Sequence, residues 1–327
     1  MTFLKINKNK NPNPIDLDFS NLYPFVNGSL FGQRYVREFG KPKPNVTYPM
    51  LCSDCIHDNG TKCSPEHNPQ VSYPDDSISY KLNNHAYRSD DFNKENTSDN
   101  FLFTGCSLTF GTGLPYTHTW AHALNKELNG EKFLNLGVAG ASCKVLIFDI
   151  YRYIEKFGKP KAIFALMPDL NRFDSWSTVP EKVFTNTEKS YLTKNYIMTE
   201  NLIDNAKNLT QLDKEQVNII LWDFYHSMTN LEKFLETLNI DFLWSTWHDD
   251  SGKYFNQLNF KNYFHNMFTD FDLIEHLECP PEYDKRFWEQ ARDTHPGLRT
   301  HLYYKTIFKN EYRKYMDKKS SVQKSAE

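Results

Sequence analysis

No stretch of this chain is apolar for long enough to cross a bilayer. The best, Ala162 to Met167, is only a strand's length. The first ten residues, Met1 to Lys10, carry three lysines and lack the apolar block of a secretory leader. Both absences predict a cytoplasmic protein without a membrane span. A basic excess is missing too: 38 Lys and Arg stand against 41 Asp and Glu, a net charge of −3. There is no basic stripe, so a nucleic-acid partner is not expected. No internal repeat is visible, which argues against a solenoid or propeller.

What is present points to a packed core. Apolar residues make up 39% and aromatics 15% of 327 residues, enough for one large α/β domain with decorations or for two modest domains. The six cysteines are unevenly spread, and Cys52, Cys55 and Cys63 fall within twelve residues. With His67 they form Cys-x2-Cys-x7-Cys-x3-His, and His57 is a spare imidazole. Three soft sulfur ligands and one nitrogen suit tetrahedral zinc, and the Cys-x2-Cys half has the geometry of a knuckle. The segment has too few apolar residues to hold itself together, so a metal would replace a core. A disulfide or free thiols are the rival reading. With all four positions filled by protein, the zinc would be structural, and no catalytic cofactor is expected.

Residues 1–98 read as an N-terminal extension carrying the Cys/His loop at 51–70, with a strand or two and a polar loop over 71–100. Residues 99–316 read as one domain, and 317–327 as a disordered tail. From residue 101 strands and helices alternate. Strands are expected at Phe101–Thr104, Lys132–Leu136, Lys161–Met167 and Asp241–Ser245. Helices are expected at Thr119–Leu128, Ser142–Phe157, 213–238 and 298–316, with Val145, Phe148, Ile150 and Tyr153 as packing candidates in the second. This βαβα alternation predicts a mostly parallel sheet flanked by helices.

In such a sheet, ligands bind beyond the carboxyl ends of the strands. Gly105-Cys-Ser-Leu-Thr-Phe-Gly-Thr-Gly113 follows the first core strand. A serine at that turn can project its hydroxyl into the crevice, and its own N–H can face a developing oxyanion. The bland alternative is a Gly-rich turn with a surface serine. Three further segments stand in order: Asn135-Leu-Gly-Val-Ala-Gly140, Pro168-Asp-Leu-Asn-Arg172 and Asp293-Thr-His-Pro-Gly297. Together these segments resemble the SGNH (GDSL-like) hydrolase family over residues 101–315, in a divergent form similar to SGNH-like proteins of bacteria and phages. The resemblance implies a three-layer α/β/α, flavodoxin-like fold. It implies Ser107 as nucleophile, His295 as general base and Asp293 as the group that orients the imidazole. The N–H groups of Ser107 and Gly140 would hold the oxyanion.

The chain departs from that family at three places. Gly-Asp-Ser is Gly105-Cys106-Ser107 here. The third block offers Asp169 where the family has an asparagine donor, and a carboxylate repels an oxyanion unless protonated or turned away. Asn171 and Arg172 are the substitute candidates. The late pair is Asp293-x-His295, one residue shorter than usual, which leaves Asp284 as another possible partner for His295. His295 also reads as a surface histidine before Pro296. Arg88, in Asn83-Asn-His-Ala-Tyr-Arg88, reads as a cleft residue or a surface salt bridge. Trp244 and Trp247 read as sugar-stacking rings, with at least one expected in the core.

The expected function is therefore a serine esterase or acyl-hydrolase acting on a small-molecule or carbohydrate ester, such as an acetylated sugar. The alternative is a weak or inactive SGNH-like binding or structural module, for example a phage virion or assembly protein. A third class would place the function in a metal-stabilised interaction module at the knuckle.

Overall fold

The computed structural model describes residues 44–49, 78–94, 97–139, 141–170, 172–175, 198–201, 214–264, 278–289, 291 and 295–326. Strand β1 (Thr47–Pro49) pairs antiparallel with β2 (Ser79–Lys81), Tyr48 opposite Tyr80. Next come β3 (Phe101–Gly105), a one-turn helix α1 (Ser107–Phe110), α2 (Trp120–Glu127), β4 (Leu134–Asn135) and α3 (Cys143–Phe157). Strand β5 (Ala162–Met167) leads to an antiparallel pair, β6 (Arg172–Ser175) with β7 (Met198–Asn201). Then follow α4 (Lys214–Thr237), β8 (Asp241–Thr246), α5 (Asp249–Gln257) and α6 (Leu298–Ala326).

Four strands form a parallel sheet in the order β4-β3-β5-β8. Phe103 lies opposite Phe164, and Phe164 opposite Leu243, so side chains of like parity share a face. On one face Leu102, Ile163, Ala165, Met167, Phe242 and Trp244 pack under α3, α4 and α5. On the other, Phe103, Phe164, Leu166 and Leu243 pack under α2 and α6. Both faces are covered, which is why β5 is apolar at every position and buried along its whole length. The fold is a three-layer α/β/α sandwich.

Local chemistry sets the helix starts. Thr119 caps α2 by accepting the His122 N–H, and Ser142 caps α3 by accepting the Val145 N–H at 3.2 Å. Val145, Ile150 and Tyr153 are buried in α3, while Phe148 is only half-buried because the inward stripe runs through Leu146, Ile147 and Ile154 instead. On the opposite face α2 and α6 join through the stacked rings of Trp120 and Phe308, 4.6 Å apart, and through Glu127 with Lys305 and Lys309.

The closing helix differs from the sequence expectation. It does not stop near residue 316 before a disordered tail but runs to Ala326. No proline or glycine interrupts Asp317–Ala326, and Lys319 and Tyr315 reach back to the Asp241 carboxylate at 2.5 and 3.2 Å. The segment before β3 is integral to the core. Tyr87 and Phe92 join the cluster under α3, and Tyr80 and Leu82 pack with Phe110 and Leu114 behind α1. Among the described residues, no helix is long and apolar enough to cross a membrane.

Candidate active site

The carboxyl ends of the four parallel strands open on one edge, and their exits carry the candidate chemistry. Strand β3 leaves through Gly105, whose φ is +157°. A Cβ there would lie 2.0 Å from Thr109 Oγ1 and 2.7 Å from the Leu166 carbonyl oxygen on β5. Only glycine lets the chain leave β3 so close to its neighbour. Cys106 then starts α1, its carbonyl accepting the N–H groups of Thr109 and Phe110 at 3.0 and 2.9 Å. Ser107 is the first residue of that turn and is 8% exposed. Its hydroxyl donates to Cys106 Sγ at 3.9 Å.

Two side chains hold the turn from behind. Arg88, 1% exposed, donates to the carbonyls of Gly111 (2.6 Å), Leu114 (2.8 Å), Phe110 and Ser79 (3.3 Å each). Its guanidinium lies 4.7 Å from the Tyr80 ring centre. The sequence reading of Arg88 as a cleft residue or surface salt bridge is thus corrected. The planar fork serves the loop after the Ser107 turn, and several carbonyls converging on one point are not visible in sequence. Asn135, at the end of β4, accepts the Gly137 N–H at 2.8 Å and donates to the Thr109 carbonyl at 3.1 Å. A Cβ on Gly137 would sit 2.5 Å from the Phe110 backbone nitrogen. The Asn-x-Gly spacing therefore staples the β4 exit onto α1.

Strand β5 exits through Pro168 into Asp169, which is 4% exposed. The hydroxyl of Ser251 donates to Asp169 Oδ1 at 3.4 Å, and His248 Nε2 lies 3.5 Å from Oδ2. From the β8 exit, the Trp247 indole N–H donates to Cys106 Sγ at 3.2 Å, beside the Ser107 turn. Trp244 is fully buried and donates to Glu232 at 2.9 Å, so it packs in the core and does not serve a sugar.

His295 is half-buried just ahead of α6, and its carbonyl accepts the Ala291 N–H at 2.9 Å. Asp284 is committed elsewhere: its carboxylate accepts from Arg286 at 2.6 Å, which lowers its pKa, and its N–H donates to His118 Nε2 at 3.3 Å. It does not orient His295. Arg172 opens β6, its backbone paired with Asn201. Asp293, Gly140, Asn171 and the four zinc candidates Cys52, Cys55, Cys63 and His67 lie outside the described residues. Among the described residues, no group of three or more His, Cys, Asp or Glu side chains is placed to hold a metal ion.

Several site-edge residues escaped the sequence reading. His248 and Ser251 follow a strand the sequence did reveal, but nothing in Trp-His-Asp-Asp-Ser announces a contact with Asp169, 82 residues away from Ser251. His301, on α6, accepts the Trp120 N–H at Nδ1 at 3.1 Å. Burial, with His295, His118 and Arg88 nearby, pushes its pKa down to about 3, so the ring stays neutral with its proton on Nε2.

The arrangement offers a hydroxyl at the carboxyl end of β3 and an imidazole ahead of the last helix. No protein-family model and no curated protein matches this sequence.

Proposed function

We propose that this chain is an SGNH-type serine ester hydrolase that removes an ester-linked acyl group from a small molecule or a carbohydrate. The observation that carries this reading is the position of Ser107, first residue of a helix turn at the carboxyl end of central strand β3, with the Asn135-x-Gly137 turn stapled beside it. In the proposed reaction the Ser107 hydroxyl attacks the acyl carbon, and His295 accepts its proton and returns it to the departing alcohol. Water then cleaves the acyl-enzyme by the same route in reverse. The N–H groups of Ser107 and Gly140 would hold the oxyanion, and Asp293 would orient His295. The Cys/His loop would bind one structural zinc ion.

The test is labelling by a fluorophosphonate together with hydrolysis of p-nitrophenyl acetate. Both should occur in the wild type and vanish in Ser107→Ala. Unchanged activity in that variant would remove Ser107 from the mechanism. A second reading, an inactive carbohydrate-binding or assembly module, is favoured by the Ser107 hydroxyl donating to the Cys106 thiol. Absence of labelling, with binding to an acetylated oligosaccharide by calorimetry, would establish it in place of the first.

A further inference from the structure

The three exits β3, β5 and β8 are adjacent, so whatever stands after β5 faces the Ser107 turn on one side and the β8 exit on the other. Gly105 is opposite Leu166, and Met167 opposite Thr246. Ser107 follows Gly105 by two residues and Asp169 follows Leu166 by three, on strands roughly 4.8 Å apart. A carboxylate there would oppose negative charge developing on a substrate oxygen beside the Ser107 N–H.

The β8 exit answers that problem. Thr246 Oγ1 donates to the Met167 carbonyl at 3.1 Å and accepts the His248 N–H at 3.2 Å, which locks the two exits side by side. His248 Nε2 then faces Asp169 Oδ2 at 3.5 Å, and Ser251 Oγ faces Oδ1 at 3.4 Å. Ser251 is wholly buried, accepts the Leu170 N–H at 3.1 Å, and its own N–H faces His248 Nδ1 at 3.5 Å. Both carboxylate oxygens are thus addressed from the β8 exit. The two nitrogens of His248 thus face Asp169 and the N-terminus of α5.

We propose that His248 and Ser251 are positioning residues: they hold the Asp169 carboxylate toward β8 and so keep its charge off the oxyanion formed at Ser107. This inference rests on the esterase reading. Loss of a tether lets the carboxylate turn toward the substrate oxygen, which raises the transition state more than the bound substrate.

The experiment is a set of double variants assayed with p-nitrophenyl acetate, with folding followed by circular dichroism. Ser251→Ala and His248→Phe should each lower kcat by roughly tenfold or more with KM little changed. Adding Asp169→Asn to either background should restore kcat, because the charge that the tether controlled is gone. A merely structural role for Ser251 or His248 would not be rescued by neutralising Asp169. Undiminished kcat in both single variants, or a loss that Asp169→Asn leaves in place, overturns the proposal while Ser107-dependent hydrolysis in the wild type stands. If the wild type itself shows no hydrolysis and no fluorophosphonate labelling, the esterase reading falls and the tether inference falls with it.

Discussion

Replacing Gly105 by alanine places a methyl carbon where the molecule has no room. Its nearest neighbours would be Thr109 Oγ1 at 2.0 Å, the Leu166 carbonyl oxygen at 2.7 Å and Thr109 Cβ at 2.9 Å. The threonine hydroxyl could rotate only by giving up its contacts with the Trp120 indole (3.3 Å) and the Thr104 carbonyl (3.5 Å). The Leu166 carbonyl belongs to β5, in the middle of the sheet, and cannot yield without bending the strand. Overpacking of this kind costs about 1–3 kcal/mol, and a backbone conformation reserved for glycine about 1–3 kcal/mol more. The expected loss is therefore about 3–5 kcal/mol, which for a domain of this size lowers Tm by roughly 6–20 °C. Urea denaturation and a thermal scan measure it. Gly130→Ala is the control: the nearest atoms to its Cβ would be the amide end of the Asn125 side chain and not a strand backbone, so the loss should stay near ~1 kcal/mol. A Gly105→Ala loss below about 1 kcal/mol would refute the claim that the β3 exit is packed against β5. A correctly folded Gly105→Ala protein should also label more slowly with fluorophosphonate, since the displaced turn carries Ser107.

Other perturbations test other parts. Arg88→Met should destabilise by about 3–5 kcal/mol in urea, because the carbonyls of Gly111 and Leu114 lose a buried cation; Arg88→Lys should recover little, since a single ammonium cannot span the fork. Asp149 is wholly buried with Tyr87 donating to Oδ2 at 2.9 Å, and burial pushes its carboxyl pKa well up. The folded state therefore keeps a proton that the unfolded chain releases near pH 4, and this group's contribution, full below that pH, is lost as pH rises toward the folded value. Asp149→Asn should thus gain stability relative to wild type between pH 4 and pH 7, and parallel urea midpoints across that range would refute the assignment. His301 works in the opposite sense: its pKa falls to about 3, so stability present above its ordinary value near 6.5 is lost as pH drops toward 3. His301→Gln should flatten that acid limb in thermal scans. Metal analysis after reducing, chelator-free purification should find one zinc ion per chain, lost in Cys55→Ser; a metal-free wild type would remove the zinc proposal.

The layered fold was legible because a strand covered on both faces must be apolar at every position, as in Ala162–Met167, and a helix over a sheet must repeat its apolar residues with helical period, as in α3. Where an element depends on distant partners, the sequence was silent. The one-turn α1 survives on Arg88 and Asn135, and α5 has few apolar residues of its own beyond Phe255 and Tyr254. The tail of α6 looked disordered because charge and small residues there carry no packing signal, yet Asp241, on an edge strand, supplies the anchor for Lys319.

The serine turn divides along the same line. By itself the sequence determined that a small, glycine-flanked serine follows the first core strand, since backbone conformation and residue type are local matters. Only the tertiary structure decided what surrounds it: Arg88 beneath the turn, Trp247 on Cys106, and Asp169 drawn toward His248 and Ser251. Those contacts join residues separated by tens to more than a hundred positions. Their energy depends on distances that the parallel sheet sets by bringing strand ends together, and no spacing along the chain encodes them.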